Sequence, residues 1–138
     1  MRKICTPLLL LLLFGCGSNT DGRRALSGTV VLNGEPLDHG AIKFQTTDPA
    51  QKYETGAMIE HGKFNIPAEF GLTPGVYKVV ITSQEVDKNA QPPVAKGPGG
   101  TPPPKMRERI PPEYSSQGSR AIEVKATPEA NVFDFDIK

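Results

Sequence analysis

Residues 72–82 read LTPGVYKVVIT, and they predict a tight turn followed by a β-strand. Pro74 fixes its own φ angle, and Gly75 lets the chain enter the strand without a steric penalty. From Tyr77 to Ile81 an apolar residue stands at every second position, which is the side-chain period of a strand with one buried face. This stretch therefore favours a half-buried strand at residues 76–83 over a helix.

The same two-residue period recurs on both sides of this stretch. Turn residues separate the repeats, among them Asn33-Gly34 and the Glu60-His61-Gly62 hairpin. No segment shows the three- and four-residue recurrence of a helix. The sequence therefore predicts an all-β fold, an antiparallel Greek-key-type sandwich of about seven strands. The further strand segments are residues 25–32, 42–45, 53–59, 63–66, 122–125 and 133–137.

Residues 84–113 interrupt the strand pattern with eight of the chain's 14 prolines. Proline cannot donate a ladder hydrogen bond, so we expect one long Pro-rich loop that stays out of the sheet, either functional or unstructured. Ile110 and Tyr114, near its end, are expected to pack back onto the sandwich.

The first fifteen residues predict a cleaved export signal, which is absent from the mature domain. Arg2 and Lys3 are followed by an apolar run at residues 8–14, too short for the ~20 residues of a membrane-spanning helix. Leu13-Phe14-Gly15-Cys16 resembles the bacterial lipobox, which implies cleavage before Cys16 and a diacylglyceryl and palmitate anchor on its thiol. An ordinary signal peptide with an accidental cysteine is the alternative. Gly17 resembles an outer-membrane sorting signal.

These features divide the chain into a signal peptide at residues 1–15, a lipidated tether at 16–24 and one domain at 25–138. The full chain has 16 basic and 15 acidic residues, and the signal peptide removes two of the basic ones. The mature chain is thus close to neutral, which gives no support for nucleic-acid binding. Because Cys5 and Cys16 are the only cysteines, we expect no disulfide in the mature domain.

Three glycine- and proline-containing motifs and two late segments carry a family resemblance. The chain resembles the carboxypeptidase regulatory-like, or transthyretin-like, domains, and in particular the small lipoproteins of planctomycetes. The resemblance implies a prealbumin-like sandwich on the cell envelope and no particular activity. The matching residues are Gly28-x-Val30-x3-Gly34-x-Pro36-Leu37-x2-Gly40-Ala41-x2-Phe44, Gly62-x-Phe64-x-Ile66-Pro67, Leu72-x-Pro74-Gly75-x-Tyr77-x-Val79, Ile110-Pro111-Pro112-Glu113-Tyr114 and Phe133-Asp134-Phe135-Asp136.

Candidate chemistry is sparse. His39 and His61 each lie beside a glycine and outside any metal-binding or catalytic spacing, so we expect solvated turn residues. Asp134 and Asp136 share one face of the last strand, where they form a solubilising surface or, alternatively, two of the six to eight ligands that Ca²⁺ needs. The sequence thus predicts no catalytic residue, metal or cofactor.

A basic alternation precedes the Ile-Pro-Pro segment. Lys105, Arg107 and Arg109 form either a charged edge that prevents aggregation or, with Tyr114, a surface for lipid head groups or an acidic glycan. The favoured function is a noncatalytic, lipid-anchored envelope module that binds a protein or glycan, or acts structurally. The alternative is a small envelope enzyme or metal-binding protein that uses His39, His61 and the strand carboxylates.

Overall fold

The computed structural model describes residues 21–50, 53–90, 102–115, 117–127 and 131–138. The predicted signal peptide, the predicted lipidation site Cys16 and the centre of the Pro-rich segment lie outside these ranges. The described residues form strands, turns and two short 3-10 turns, at Ala68–Phe70 and Pro112–Tyr114. None of the helical segments in these ranges has the length and apolar character needed to cross a bilayer.

Ten strands follow one another along the described chain, and the seven long ones correspond to the seven predicted from the two-residue period. The strands are β1 (Leu26–Leu32), β2 (Glu35–Pro36), β3 (His39–Thr46), β4 (Glu54–Glu60), β5 (Lys63–Ile66), β6 (Gly75–Thr82), β7 (Gln84–Val86), β8 (Met106–Glu108), β9 (Ala121–Val124) and β10 (Val132–Ile137).

The seven long strands form one curled sheet in the order β10-β1-β5-β4-β3-β6-β9, and the short β2 pairs with β1. Almost all pairings are antiparallel, so the predicted all-β class and sandwich-like architecture are confirmed. One pairing differs from the prediction: β1 and β10 run parallel, with Ser27 opposite Val132 and Leu32 opposite Ile137. The first and last strands of the domain are thus direct neighbours.

The buried faces of the strands meet in one hydrophobic core. Three phenylalanine rings from separate strands contact in series: Phe44 lies 6.0 Å from Phe64, which lies 6.3 Å from Phe135. Because β3, β5 and β10 are not neighbours in the sheet, these contacts require the sheet to curl around its own core. The residues predicted to face inward on β5 and β6 are buried: Phe64, Ile66, Tyr77, Val79 and Ile81.

The strand registers define two ends of the domain. The N-terminal end contains Arg23, Arg24 and Tyr53 together with the 67–72 turn, since Arg24 bridges to Leu72. The opposite end contains the Asn33–Gly34 and His61–Gly62 turns and the hairpin of β7 and β8, which we call the ribbon. Both turns adopt the positive φ angles that their Asn-Gly and His-Gly sequences allow.

The ribbon corrects the expectation that residues 84–113 stay out of any ladder. Gln84 pairs with Glu108, and Val86 pairs with Met106, in a two-stranded sheet separate from the main one. β7 precedes the first proline of this segment, Pro92, and β8 lies between Pro104 and Pro111. Neither strand contains a proline, so each of their residues keeps the amide proton that a ladder requires. As predicted, Ile110 and Tyr114 return to the core, where they are 6% and 2% exposed.

Candidate functional site

An open cleft of about 730 Å³ lies at the ribbon end, between the ribbon and the turns that flank β2. Its walls carry the carboxylates of Glu35, Asp38, Glu85 and Glu108 and the guanidinium group of Arg107, beside that of Arg109. Pockets that bury small ligands are mostly apolar. This cleft is instead polar and open, and its walls carry several charged hydrogen-bonding groups.

The cleft owes its shape to four side chains that fasten the ribbon to the sheet, which we call the clamp: Asp38, His39, Ser83 and Arg109. Asp38 and His39 lie where β2 leads into β3, Ser83 follows β6, and Arg109 follows β8. The side chain of Arg109 is only 19% exposed, whereas that of Asp38 is 62% exposed. The clamp thus runs from the core boundary to the surface.

Arg109 makes the central contacts of the clamp. Its Nη2 donates to Asp38 Oδ1 at 2.5 Å and to Ser83 Oγ at 2.6 Å, and its Nε donates to the same Ser83 Oγ at 3.2 Å. Ser83 Oγ in turn donates to the carbonyl oxygen of His39 at 2.7 Å. One arginine therefore joins the segment that follows β8 to both the β2–β3 turn and the end of β6.

Glu108 secures the same segment from its other side. Its Oε1 accepts from the backbone N–H groups of Ser83 at 2.7 Å, Arg109 at 3.1 Å and Ile110 at 3.1 Å. A carboxylate that accepts several backbone N–H groups makes strong, charge-assisted hydrogen bonds. Glu108 thereby fixes the backbone that presents Arg109 to the clamp.

The charges in the clamp stabilise one another. The hydrogen bond from Arg109 is the main reason that the pKa of Asp38 lies well below its usual range, and His39 contributes in the same direction. The pKa of His39 is raised, first by its hydrogen bond to the Gln84 carbonyl and then by Asp38. The clamp therefore favours a carboxylate at Asp38 and an imidazolium at His39.

Serine, histidine and aspartate meet in the clamp, but their contacts differ from those of a nucleophilic triad. In a triad the histidine ring accepts the proton of the serine hydroxyl. Here His39 Nδ1 contacts Asp38 Oδ2 at 2.7 Å, and its Nε2 contacts the Gln84 carbonyl at 3.1 Å. Both ring nitrogens of His39 thus face hydrogen-bond acceptors, and Ser83 Oγ donates to a backbone carbonyl. The arrangement fastens the fold and does not activate the hydroxyl.

The predicted basic surface is divided by the structure. Lys105, Arg107 and Arg109 lie together on and beside β8, whereas Tyr114 lies in the core against Phe135. Arg107 pairs with Glu85 at 2.5 Å, and Arg109 belongs to the clamp. The side chains of both arginines are therefore already engaged within the domain.

The two histidines lie at the same end of the domain. Glu60, next to His61, is the register partner of His39, and the His61 N–H donates to the Asp38 carbonyl at 3.1 Å. Among the described residues, however, no group of three or more His, Cys, Asp or Glu side chains is arranged to hold a metal ion.

The carboxylates of the last strand lie on β10, beside β1. Asp134 accepts a hydrogen bond from Thr29 Oγ1 at 2.6 Å across the parallel β1–β10 pair. Asp134 and Asp136 are both exposed and line a small cleft of about 330 Å³ with Arg120. The structure therefore places these carboxylates beside a cation, which differs from the oxygen-only ligand set that Ca²⁺ prefers.

Sequence reasoning missed Asp38 and Ser83. For Ser83 a signal existed, because the inward-facing period of β6 runs through Tyr77, Val79 and Ile81 and reaches Ser83, which is 2% exposed. A serine at an inward position requires a hydrogen-bond partner. For Asp38 no local signal existed, since its partner Arg109 is 71 residues away.

No family model, curated protein or solved structure matches this sequence. The likeness to carboxypeptidase regulatory-like domains is therefore a hypothesis that depends on the sequence motifs.

Proposed function

We propose that this chain is a noncatalytic, lipid-anchored module of the bacterial cell envelope, which binds an envelope protein or glycan or acts structurally. The observation that carries this proposal is the clamp. The side chains best suited to chemistry, His39 and Ser83, use their polar atoms to hold the ribbon in place. Such an arrangement supports a rigid binding surface.

The cleft beside the clamp supports a binding role. Its lining combines carboxylates with an arginine, and its open form suits an extended chain of amino acids or sugars. We also propose that the domain belongs to the prealbumin-like family. The sequence motifs that suggest this family include Asn33–Gly34 and Pro36–Leu37, which lie in the turns that frame this cleft.

The anchor is tested by Cys16→Ser, compared with wild type in a bacterial host. We expect wild type in the membrane fraction, with an intact mass that begins at a triacylated or diacylated Cys16. Because cleavage before Cys16 follows acylation of its thiol, the variant is expected to carry no lipid mass and to keep residues 1–15. Its β-rich circular dichroism spectrum should be unchanged, since the anchor precedes the domain. A wild-type protein that keeps residues 1–15, or whose mass lacks the acyl groups, would contradict the lipid anchor.

The noncatalytic role is tested on the purified Cys16→Ser protein with broad hydrolase and oxidase substrate panels. We expect no turnover above a buffer control. Turnover that His39→Gln abolishes and His61→Gln preserves would overturn the proposal and assign an active site to the clamp.

A further inference from the structure

Two large aromatic side chains project into solvent at the N-terminal end of the domain. Tyr53 is 50% exposed and Phe70 is 63% exposed, although the core contains buried positions for both residue types. A single exposed apolar residue is ordinary, whereas neighbouring exposed apolar residues that form one patch mark an interaction surface. These two residues are therefore candidates for contact with a membrane or with another molecule.

Arg23 joins the two aromatic positions into one surface. Its guanidinium lies 5.9 Å from the centre of the Tyr53 ring, and its Nη1 donates to the carbonyl of Glu69 at 2.9 Å. The carbonyl of Phe70 accepts from Thr55 Oγ1 at 2.6 Å, which fixes the turn to β4. Hydrogen bonds thus hold the backbone that carries these aromatic side chains.

The connection to Cys16 places this surface next to the membrane in an anchored protein. Asp21 is the fifth residue after Cys16, and five Cα–Cα steps span at most about 18 Å. The ribbon lies at the opposite end of strands of up to eight residues, a further ~26 Å away. In an anchored protein, the N-terminal end is therefore the end nearer to the membrane. This end contains Arg23, Tyr53 and Phe70.

We propose that Arg23, Tyr53 and Phe70 form a contact surface for the phospholipid head-group region, which orients the domain with its ribbon away from the membrane. This inference rests on the proposed lipid anchor. Tyrosine prefers the boundary between head groups and acyl chains, and phenylalanine on interfacial anchors buries its ring in the same boundary. Arg23 presents its guanidinium beside them, while Glu69 supplies an opposite charge, so the contact is expected with zwitterionic lipid and does not require anionic lipid.

The chain contains no tryptophan, so one introduced tryptophan reports its own surroundings. The test uses acylated protein in phosphatidylcholine vesicles that carry a bromine quencher near the head groups. Phe70→Trp places the probe on the proposed surface, and Val86→Trp places it on the ribbon, where Val86 is 49% exposed. Circular dichroism of each variant checks that the fold is unchanged.

We expect strong quenching and a blue-shifted emission for Phe70→Trp, and neither effect for Val86→Trp. Adding Tyr53→Ser to the Phe70→Trp chain is expected to reduce the quenching, because the second aromatic contact is lost. Quenching should persist at high salt, since the contact is mainly apolar.

The outcomes separate this inference from the anchor itself. Protein that sediments with the vesicles but leaves Phe70→Trp unquenched would overturn the contact surface and leave the anchor intact. Stronger quenching of Val86→Trp would show that the ribbon faces the lipid and would also overturn the proposed orientation. If acylated protein does not sediment with vesicles, both the proposed anchor and the proposed contact surface are contradicted.

Discussion

His39 shows how a residue that the sequence places in a turn acquires a defined electrostatic role. The sequence predicts a solvated side chain, and the ring is indeed 57% exposed. The carbonyl of Gln84 and the carboxylate of Asp38 come from different parts of the chain and contact its two nitrogens. The local sequence could suggest only the contact with Asp38, which is the preceding residue. The contact with Gln84 depends on where the fold places β7.

The raised pKa of His39 predicts a pH dependence of stability. A raised folded-state pKa stabilises the fold fully below the unfolded value of about 6.5, and this contribution is lost as pH rises through the folded pKa. We expect the free energy of unfolding to fall between mildly acidic and mildly alkaline pH, and to fall less in His39→Gln. Urea denaturation at a series of pH values measures both slopes.

His61→Gln is the matched control for this experiment. The described part of the chain provides no hydrogen-bond partner for the His61 ring, so this variant is expected to keep the wild-type slope. Equal slopes for wild type and His39→Gln would show that the ring contacts of His39 do not persist in solution.

At the scale of elements, the two-residue period predicts the long strands well because each has one face in the core. Lys63–Ile66 was predicted with its observed limits, and β6 differs from its prediction by one residue at each end. The ribbon was not predicted because its strands are three residues long and mostly exposed, so burial imposes no alternation. The surrounding prolines also gave a stronger signal for a loop.

The ribbon depends on Arg109 more than on Arg107, which gives a prediction at this scale. Arg109→Met removes the hydrogen bonds to Asp38 and Ser83 while it keeps an apolar stem for packing. Because hydrogen bonds to charged groups contribute substantially to stability, we expect about a tenfold loss of amide protection in β7 and β8. Hydrogen–deuterium exchange with mass spectrometry measures protection in peptides that cover each strand.

Arg107→Met serves as the comparison, because it removes an ion pair whose arginine side chain is 57% exposed. Exposed ion pairs contribute little, so the ribbon is expected to keep most of its protection. An equal effect of the two substitutions would mean that the clamp does not control the ribbon.

At the scale of the whole molecule, the ends of the domain have separate roles under the proposals made above. The N-terminal end receives the tether and presents Tyr53 and Phe70, while the ribbon end presents the polar cleft away from the lipid. The order of strands could not be predicted in full, since the period of a strand does not specify its neighbours. The parallel β1–β10 pair is the main example, because it joins residues more than one hundred positions apart.

Gly28 makes the junction between the first and last strands possible. A Cβ atom at this position would lie 1.8 Å from the Phe133 carbonyl oxygen and 2.9 Å from Cε1 of the Phe64 ring. The contact with a backbone atom cannot be relieved by a side-chain rotation, so β1 and β10 would have to separate. We expect Gly28→Ala to lower the free energy of unfolding by about 2–3 kcal/mol, as in other overpacked sites.

Gly34→Ala is the control for that substitution, since Gly34 has a φ angle of +87° but nothing within 4 Å of its added Cβ. Backbone strain alone is expected to cost about 1 kcal/mol there. Urea denaturation of both variants measures the difference, which separates steric exclusion at the junction from the loss of glycine itself. Wild-type stability in Gly28→Ala would mean that β10 does not pair with β1 in this register, and the exposed carboxylates of Asp134 and Asp136 would then lose their present neighbours as well.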